Sequence, residues 1–482
     1  MITMKLRFAM MLIRWLGLVL LVLQAGAAIQ AARSTFPQPS ARPNILFILT
    51  DDQRQDTIAA LGNPSIRTPH LDQLVREGTS FTRVISSNPL CVPIRAEILT
   101  GVSGFRNGIL PGFSNQLDRS LPTFADTLRA AGYHTWYVGK WHTQGRPSEH
   151  GFEETLGLFG SGGGKPTITE DVHGRPVTGY RGWVFQSDAG ETYPEKGVGL
   201  TPDISNRFAD AAIEFISRKP ERPFFLQLNY TAPHDPLLMP PGYEGMYPAE
   251  GMPLPPNFRL MHPFDHGNFW GRDEQLLPWP RTPKDVRADL AAYYAVISHM
   301  DESIGRVLRV LEESGQLDNT LIIFASDHGL ALGSHGLRGK QNMYEHTINV
   351  PLIVRGPGIP QGRISQAQGY LRDIYPTVCD LVGLKIPASV EGKSLKPAIQ
   401  GQTDIYPYVF GYFGISQRMI RGEGFKFILY PQVNRRQLFD LKKDPLELNN
   451  LADKPAYRSR VEDLEQKLQE WRQAVDDPLL AD

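Results

Sequence analysis

Cysteine is nearly missing from this chain: Cys91 and Cys379 are the only two in 482 residues. That excludes a disulfide framework and leaves at most one bridge, Cys91–Cys379, open to an exported protein. An excess of charge is missing too. With 50 Lys and Arg against 51 Asp and Glu the net charge is −1, so nothing marks nucleic-acid binding, a membrane surface or disorder. No segment after the N-terminus is apolar enough to span a bilayer, and there are no internal repeats and no low-complexity tract of consequence. What is left is a globular chain of enzyme size, 41% hydrophobic.

The N-terminus, "MITMKLRFAMMLIRWLGLVLLVLQAGAAIQAARS", has one apolar run. Lys5, Arg7 and Arg14 precede it, Trp15 to Leu23 form it, and the small residues Ala25, Gly26, Ala27 and Ala28 follow. It is shorter than the ~20 residues of a spanning helix. Residues 1–32 therefore read as a secretory signal peptide, with an uncleaved anchor as the alternative. The expectation is an exported protein, periplasmic or extracellular, or in a lysosome-like compartment, with no stable membrane insertion after cleavage. A mature length of about 450 residues exceeds one ordinary core, so a large domain over 40–400 and a small one over 401–482 are expected.

Four apolar runs end in short polar clusters. "NILFILTDD" (44–52) ends in Asp51 and Asp52, "HTWYVGKWH" (134–142) in Lys140 and His142, "PFFLQLNYTAPHDP" (223–236) in His234 and Asp235, and "TLIIFASDHG" (320–329) in Asp327 and His328. Such runs suit buried parallel strands. Helical patterns lie between them at 121–132, 201–219 and 286–315. The last carries an apolar stripe of Leu290, Tyr294, Ile297, Ile304, Leu308 and Leu311. The fold class is therefore α/β: a large, mainly parallel sheet flanked by helices, followed by a smaller C-terminal α+β domain of antiparallel strands and a helix. Ligands of such sheets bind beyond the carboxyl ends of the strands, where all four clusters fall. The proline-rich stretch 236–283 is too long for a simple connector and is expected to form a wall of the site.

Asp51, Asp52 and Asp327 bring three carboxylates to strand ends. Crowded like charges call for a cation, and oxygen ligands favour Ca2+ or Mg2+; His328 adjoins them. Arg95, Lys140, His142, His234 and Lys340 supply donors which, gathered in one pocket, would bind a tetrahedral oxyanion. Taken singly, each has a bland reading as a cap, a satisfied polar residue or a solvated loop residue. The run "GLFGSGGGKPT" (157–167) imitates a phosphate-binding loop, but Phe159 and Pro166 stand where glycine and Ser or Thr are required; a flexible loop is expected there.

"PLCVPIRAEILTG" (89–101) resembles the type I sulfatase signature, in which cysteine, proline and arginine alternate with other residues. "GKWH" (139–142), "APHDP" (232–236), "SDHG" (326–329), "GKQNMYE" (339–345) and "QLFDLKKDPLELNNLA" resemble that family's other blocks, in the family's order. The resemblance implies that a dedicated maturation enzyme oxidises Cys91 to Cα-formylglycine (3-oxoalanine), whose hydrate is the nucleophile. It implies that Asp51, Asp52, Asp327 and His328, with the modified residue 91, hold Ca2+, Mg2+ being the lesser choice. It implies that Arg95 steadies the hydrate, that Lys140, His234 and Lys340 grip the sulfate, and that His142 takes a proton. The expected activity is hydrolysis of a sulfate ester, on a sulfated carbohydrate or a small aryl or alkyl sulfate. A phosphate or phosphonate monoester hydrolase of the same alkaline-phosphatase-like superfamily is the first alternative. A non-catalytic, metal-dependent binder of sulfated glycans is the second.

Overall fold

The computed structural model describes residues 42–480; the leader expected over 1–32 lies outside the described residues. In chain order the strands of the first part are β1 (Asn44–Thr50), β2 (Thr79–Ile85), β3 (Ile109–Leu110), β4 (Ser114–Asn115), β5 (His134–Lys140), β6 (Glu154–Ser161), β7 (Trp183–Phe185), β8 (Phe224–Asn229), β9 (Thr320–Ser326), β10 (Asn349–Arg355) and β11 (Arg363–Tyr370). Strands β3 and β4 make a small hairpin of their own. Among the described residues the other nine form one sheet in the order β11-β2-β10-β9-β1-β8-β5-β6-β7.

The four runs singled out from the sequence are thus neighbours, β9-β1-β8-β5, and every pairing between them is parallel. Strands β10 and β7 run against their neighbours, so the sheet is mixed but mainly parallel. Side chains alternate between its faces. Ile45, Phe47 and Leu49 of β1 enter one core, with Leu321 and Ile323 of β9, while Leu46 and Ile48 enter the other, with Ile322 and Phe324. Burial on both faces is why these strands read as unbroken apolar runs.

Helices cover both faces. Pro69–Glu77, Ile204–Ser217 and Pro283–Glu313 bury their apolar residues in the first core, and Cys91–Thr100, Phe124–Ala130 and Ile374–Leu381 in the second. The long helix starts with Pro283 after Thr282, whose hydroxyl accepts from Asp285 N at 3.2 Å. All six residues of its expected stripe are buried.

A second, antiparallel sheet follows: β12 (Tyr408–Phe413), β13 (Gln417–Gly422), β14 (Phe425–Tyr430) and β15 (Arg435–Asp440), paired in that order. Ile420, Phe427 and Leu438 pack against Val461, Leu464 and Leu468 of the closing helix Arg458–Ala474. From Pro43 onward the chain forms one compact unit. No helix among the described residues is long and apolar enough to cross a membrane.

One expectation changes, and one open alternative closes. The glycine-rich run 157–167 is not a loop throughout: its first five residues lie in β6, where Leu158 and Phe159 pair with Gly139 and Lys140 and Phe159 is fully buried. The Cys91–Cys379 bridge is absent. Both cysteines are free, and Cys379 packs in the second core.

Candidate active site

Parallel pairing of Thr50 with Ser326 and of Leu49 and Gly139 with Asn229 sets the ends of β1, β9, β8 and β5 along one edge. Gly139 is needed there. Its φ is +96°, and a Cβ would meet Asn229 O at 1.9 Å. The register with β6 shifts at this point, and Lys140 turns into the site. Asp52 has φ +68°, an unusual value for a residue other than glycine.

Cys91 opens the helix Cys91–Thr100, which is buried on nearly every side. Its Glu97, fully buried, accepts hydrogen bonds from Ser87 Oγ (2.6 Å), Tyr412 OH (2.7 Å) and Arg372 Nη1 (3.0 Å). Tyr412 belongs to β12, so the second sheet braces the helix that presents residue 91.

The thiol meets the predicted residues. Cys91 Sγ lies 3.3 Å from Asp51 Oδ1, 3.4 Å from His328 Nε2 and 3.5 Å from Lys340 Nζ. Lys140 Nζ is 2.6 Å from Asp51 Oδ2, Lys340 Nζ is 2.8 Å from Asp52 Oδ1, and His328 Nδ1 is 3.2 Å from the same Asp52 oxygen. Arg95 points at Asp327: Nε and Nη2 reach Oδ2 at 3.0 and 2.9 Å. The other Asp327 oxygen accepts from the backbone N–H groups of Asp52 (3.1 Å) and His328 (2.9 Å).

His234 turns Nδ1 toward Asp235 O, 2.7 Å away, and Nε2 toward Asp52 Oδ2 at 3.9 Å. His142 lies at the edge of the cluster. Its Nδ1 is buried without a protein partner, and its ring meets Trp183 edge-on at 4.9 Å.

Burial opposes ionisation of Asp51, but Lys140, His234, Arg95 and Lys340 outweigh it and hold its pKa well below the usual range. Asp52 is likewise lowered against burial, chiefly by Lys340. Lys340 pays for its burial through Asp52 and is raised well above normal. Burial lowers His328 despite Asp327 and Asp52, which favours the neutral ring that coordination needs. Burial, then Lys140 and Arg95, holds His142 well below its usual value. Burial, then Asp51, pushes the Cys91 thiol up.

Ligand atoms of Asp51, Asp52, Cys91 and His328 all lie within 4.8 Å of one another, and all four residues are buried. Two carboxylates with a neutral imidazole suit a divalent cation, and the oxygen content favours a hard one. Asp327 stands beside this group, with one oxygen already taken by Arg95. The sites expected from separate stretches therefore converge, Cys91, Arg95, Lys140, His142, His234 and Lys340 included.

The 236–283 stretch does reach the site. Arg272 grips Asp235 at 2.6 and 2.9 Å, and Glu274 accepts from the N–H groups of Arg338 (2.9 Å) and Gly339 (2.8 Å), fixing the turn that carries Lys340.

Residues 43–384 match the Sulfatase family, and residues 333–474 match the family described as N-sulphoglucosamine sulphohydrolase, C-terminal. The chain belongs to the sulfatase family. This sulfatase is 32% identical to an arylsulfatase of Clostridium perfringens (strain 13 / Type A), over 87% of this chain and 92% of the relative. It is 31% identical to a choline-sulfatase of Rhizobium meliloti (strain 1021), over 86% and 83%. Among solved structures it resembles BT4656 in complex with its substrate D-glucosamine-2-N, 6-O-disulfate, with 26% identity and a TM-score of 0.72 over 90% of this chain and 98% of that one. Phosphonate monoester hydrolase of Agrobacterium radiobacter shares the fold at 24% identity and a TM-score of 0.74, over 90% and 96%.

Tyr180 joins the charged cluster, which nothing in the sequence indicated. Its hydroxyl donates to Asp51 Oδ2 and its ring stands 4.7 Å from that of His234. The local sequence "VTGYRGW" signals a turn and nothing about a distant aspartate.

Proposed function

We propose that this sulfatase removes sulfate from a hydroxyl of a sulfated carbohydrate, using residue 91 as a formylglycine made from Cys91 and a bound Ca2+. The observation that carries the reading is the approach of Cys91, Asp51, Asp52 and His328 to within 4.8 Å, walled by Lys140, Lys340 and Arg95. Relatives named for sulfated sugars support the choice of substrate, among them an N-acetylglucosamine-6-O-sulfatase of Bacteroides thetaiotaomicron at 29% identity. The loops 143–200 and 236–283 would select the alcohol.

Asp51, Asp52, Asp327 and His328 would hold the cation, which supplies Lewis-acid polarisation of a sulfate oxygen. The aldehyde hydrate at residue 91 supplies the nucleophile, and a maturation enzyme of the formylglycine-generating kind is the implied partner. Arg95 steadies that hydrate, while Lys140, His234 and Lys340 present N–H donors to the sulfate. His234 or Lys340 hands a proton to the departing alcohol. His142, kept neutral by its surroundings, takes the proton that lets sulfate leave. The apolar run Trp15 to Leu23 behind Lys5, Arg7 and Arg14 supports a signal peptide over 1–32 and export, and the two sheets support a catalytic part over 40–400 with a C-terminal part over 401–482.

The test is product release by protein made in a host with the maturation enzyme. Sulfated mono- and oligosaccharides, an aryl sulfate, an aryl phosphate and a phosphonate monoester are supplied in parallel. Chelator-sensitive sulfate release, fastest from a sulfated sugar, is expected. Faster turnover of the phosphate or phosphonate would overturn the sulfate assignment. Glycan binding without any sulfate release would leave the non-catalytic binder standing.

A further inference from the structure

Tyr180 lies outside every block that carries the family resemblance, in the connection between β6 and β7. Its hydroxyl nevertheless donates to Asp51 Oδ2, the oxygen that also takes Lys140 Nζ at 2.6 Å. Asp51 Oδ1 is thereby turned toward residue 91, 3.3 Å from Sγ. The Tyr180 ring is buried and packs edge-on against His234 at 4.7 Å and Trp183 at 4.8 Å.

The backbone beneath it is held against its preference. Tyr180 has φ +57°, a left-handed conformation that costs a bulky side chain energy and persists only where surroundings enforce it. Its neighbours show the enforcement. A Cβ on Gly179 would come within 2.6 Å of both Asp235 O and Asp235 Oδ2, so only glycine allows this approach. Thr178 Oγ1 accepts from Arg272 Nη1 at 3.2 Å, and the same guanidinium holds Asp235. Three successive residues are thus pinned between the His234–Asp235 segment and Asp51. The strain is spent on placing one hydroxyl.

We infer that Tyr180 is a positioning residue: its hydroxyl holds the Asp51 carboxylate with Oδ1 toward residue 91, and so sets the affinity of the site for its divalent cation. The inference rests on reading Asp51 as a ligand of that cation. Outer partners of a ligating carboxylate fix its orientation before the ion arrives, which removes an ordering cost from binding. The connection that carries Tyr180 runs straight into β7, whose first residue, Trp183, packs on His142. One segment therefore links the ligand set to both histidines.

Tyr180→Phe tests this, because it removes the hydroxyl and keeps the ring against His234 and Trp183. Chelator-stripped protein is titrated with Ca2+ in a calorimeter, and Tm is measured without metal. Affinity about 10- to 100-fold weaker than the parent's, with no more than the small fall in metal-free Tm that one lost hydrogen bond explains, is the expected result. Parent-like affinity in Tyr180→Phe would overturn the role of Tyr180 and leave Asp51 as a ligand. Loss of affinity together with a large fall in metal-free Tm would make the role purely structural and overturn it as well. A parent protein that binds neither Ca2+ nor Mg2+ would overturn the cation reading itself, and this inference with it.

Discussion

Lys140 and Asp51 form an ion pair in which neither side chain is exposed, with Nζ 2.6 Å from Oδ2. Next to it Lys340 answers Asp52 in the same way. Breaking the Lys140–Asp51 pair takes the nearest charge from a buried carboxylate that Tyr180 OH, Cys91 Sγ and the more distant Arg95 still contact, at a cost of up to about 3–5 kcal/mol. Lys140→Met is expected to lose that much unfolding free energy in chelated protein, and to recover part of it in Ca2+, which would supply the missing positive charge. Urea unfolding with and without chelator checks both halves. A variant as stable as the parent in chelator would mean that the pair is not what balances Asp51.

That pair also marks how far the sequence could be read. The apolar runs of β1, β5, β8 and β9 were legible because both faces of each strand are buried. Their polar ends were legible as four separate clusters. Which strand lies beside which depends on pairing across 89 residues for Lys140 and Asp51, and no local pattern encodes it. The reversed direction of β10 was hidden for the same reason. Tyr180 was unreadable as a partner of Asp51, since its place depends on Gly179 meeting Asp235. Arg95 was expected at the hydrate, and the fork it makes with Asp327 emerged only from the fold.

Cys91→Ser separates an aldehyde hydrate from a plain hydroxyl nucleophile. A serine oxygen attacks once, but it has no second hydroxyl with which to expel the sulfate. The expected outcome is one equivalent of alcohol per chain, then silence, with the sulfate ester retained on the peptide spanning Val84 to Arg95. In the parent that peptide should carry the mass of the aldehyde. Steady turnover by the serine variant would refute the aldehyde step.

A separate set of histidines predicts acid sensitivity. His262, His266 and His335 are buried, and burial is the main reason their pKa values fall to about 4, about 3 and about 3. His262 packs on His266 at 5.2 Å, His335 stacks on Tyr344 at 4.0 Å, and Arg259 and Lys426 add repulsion. The unfolded chain, with histidine near 6.5, binds more protons than the folded one below that value. Stability is therefore full above about pH 6.5 and is lost as pH falls toward 4, by about 1.4 kcal/mol per pH unit for each histidine. His266→Leu should make the fall between pH 7 and pH 5 shallower by about 2 kcal/mol. No protein hydrogen bond is lost with it, because neither ring nitrogen has a partner. Urea midpoints at the two pH values decide the matter, and an unchanged slope would sink the explanation.

Trp270 offers a test of the proposed sugar substrate. It is 69% exposed at a turn where Gly271 N donates to Asn268 O at 3.0 Å. Asn268 bonds Gln341, beside Lys340, and Arg272 bonds Asp235, beside His234. For the proposed sulfated sugar, the exposed indole between these two tethered residues offers a stacking face. Stacking of this kind is worth roughly 0.5–1.5 kcal/mol, so Trp270→Ala should raise KM for a sulfated oligosaccharide about 2- to 10-fold. KM for a small alkyl sulfate, which has no ring to stack, should rise by less. Steady-state kinetics on the two substrates give the comparison. Equal rises on both would mean that Trp270 acts through its packing on Phe269, 5.3 Å away, and not through a sugar.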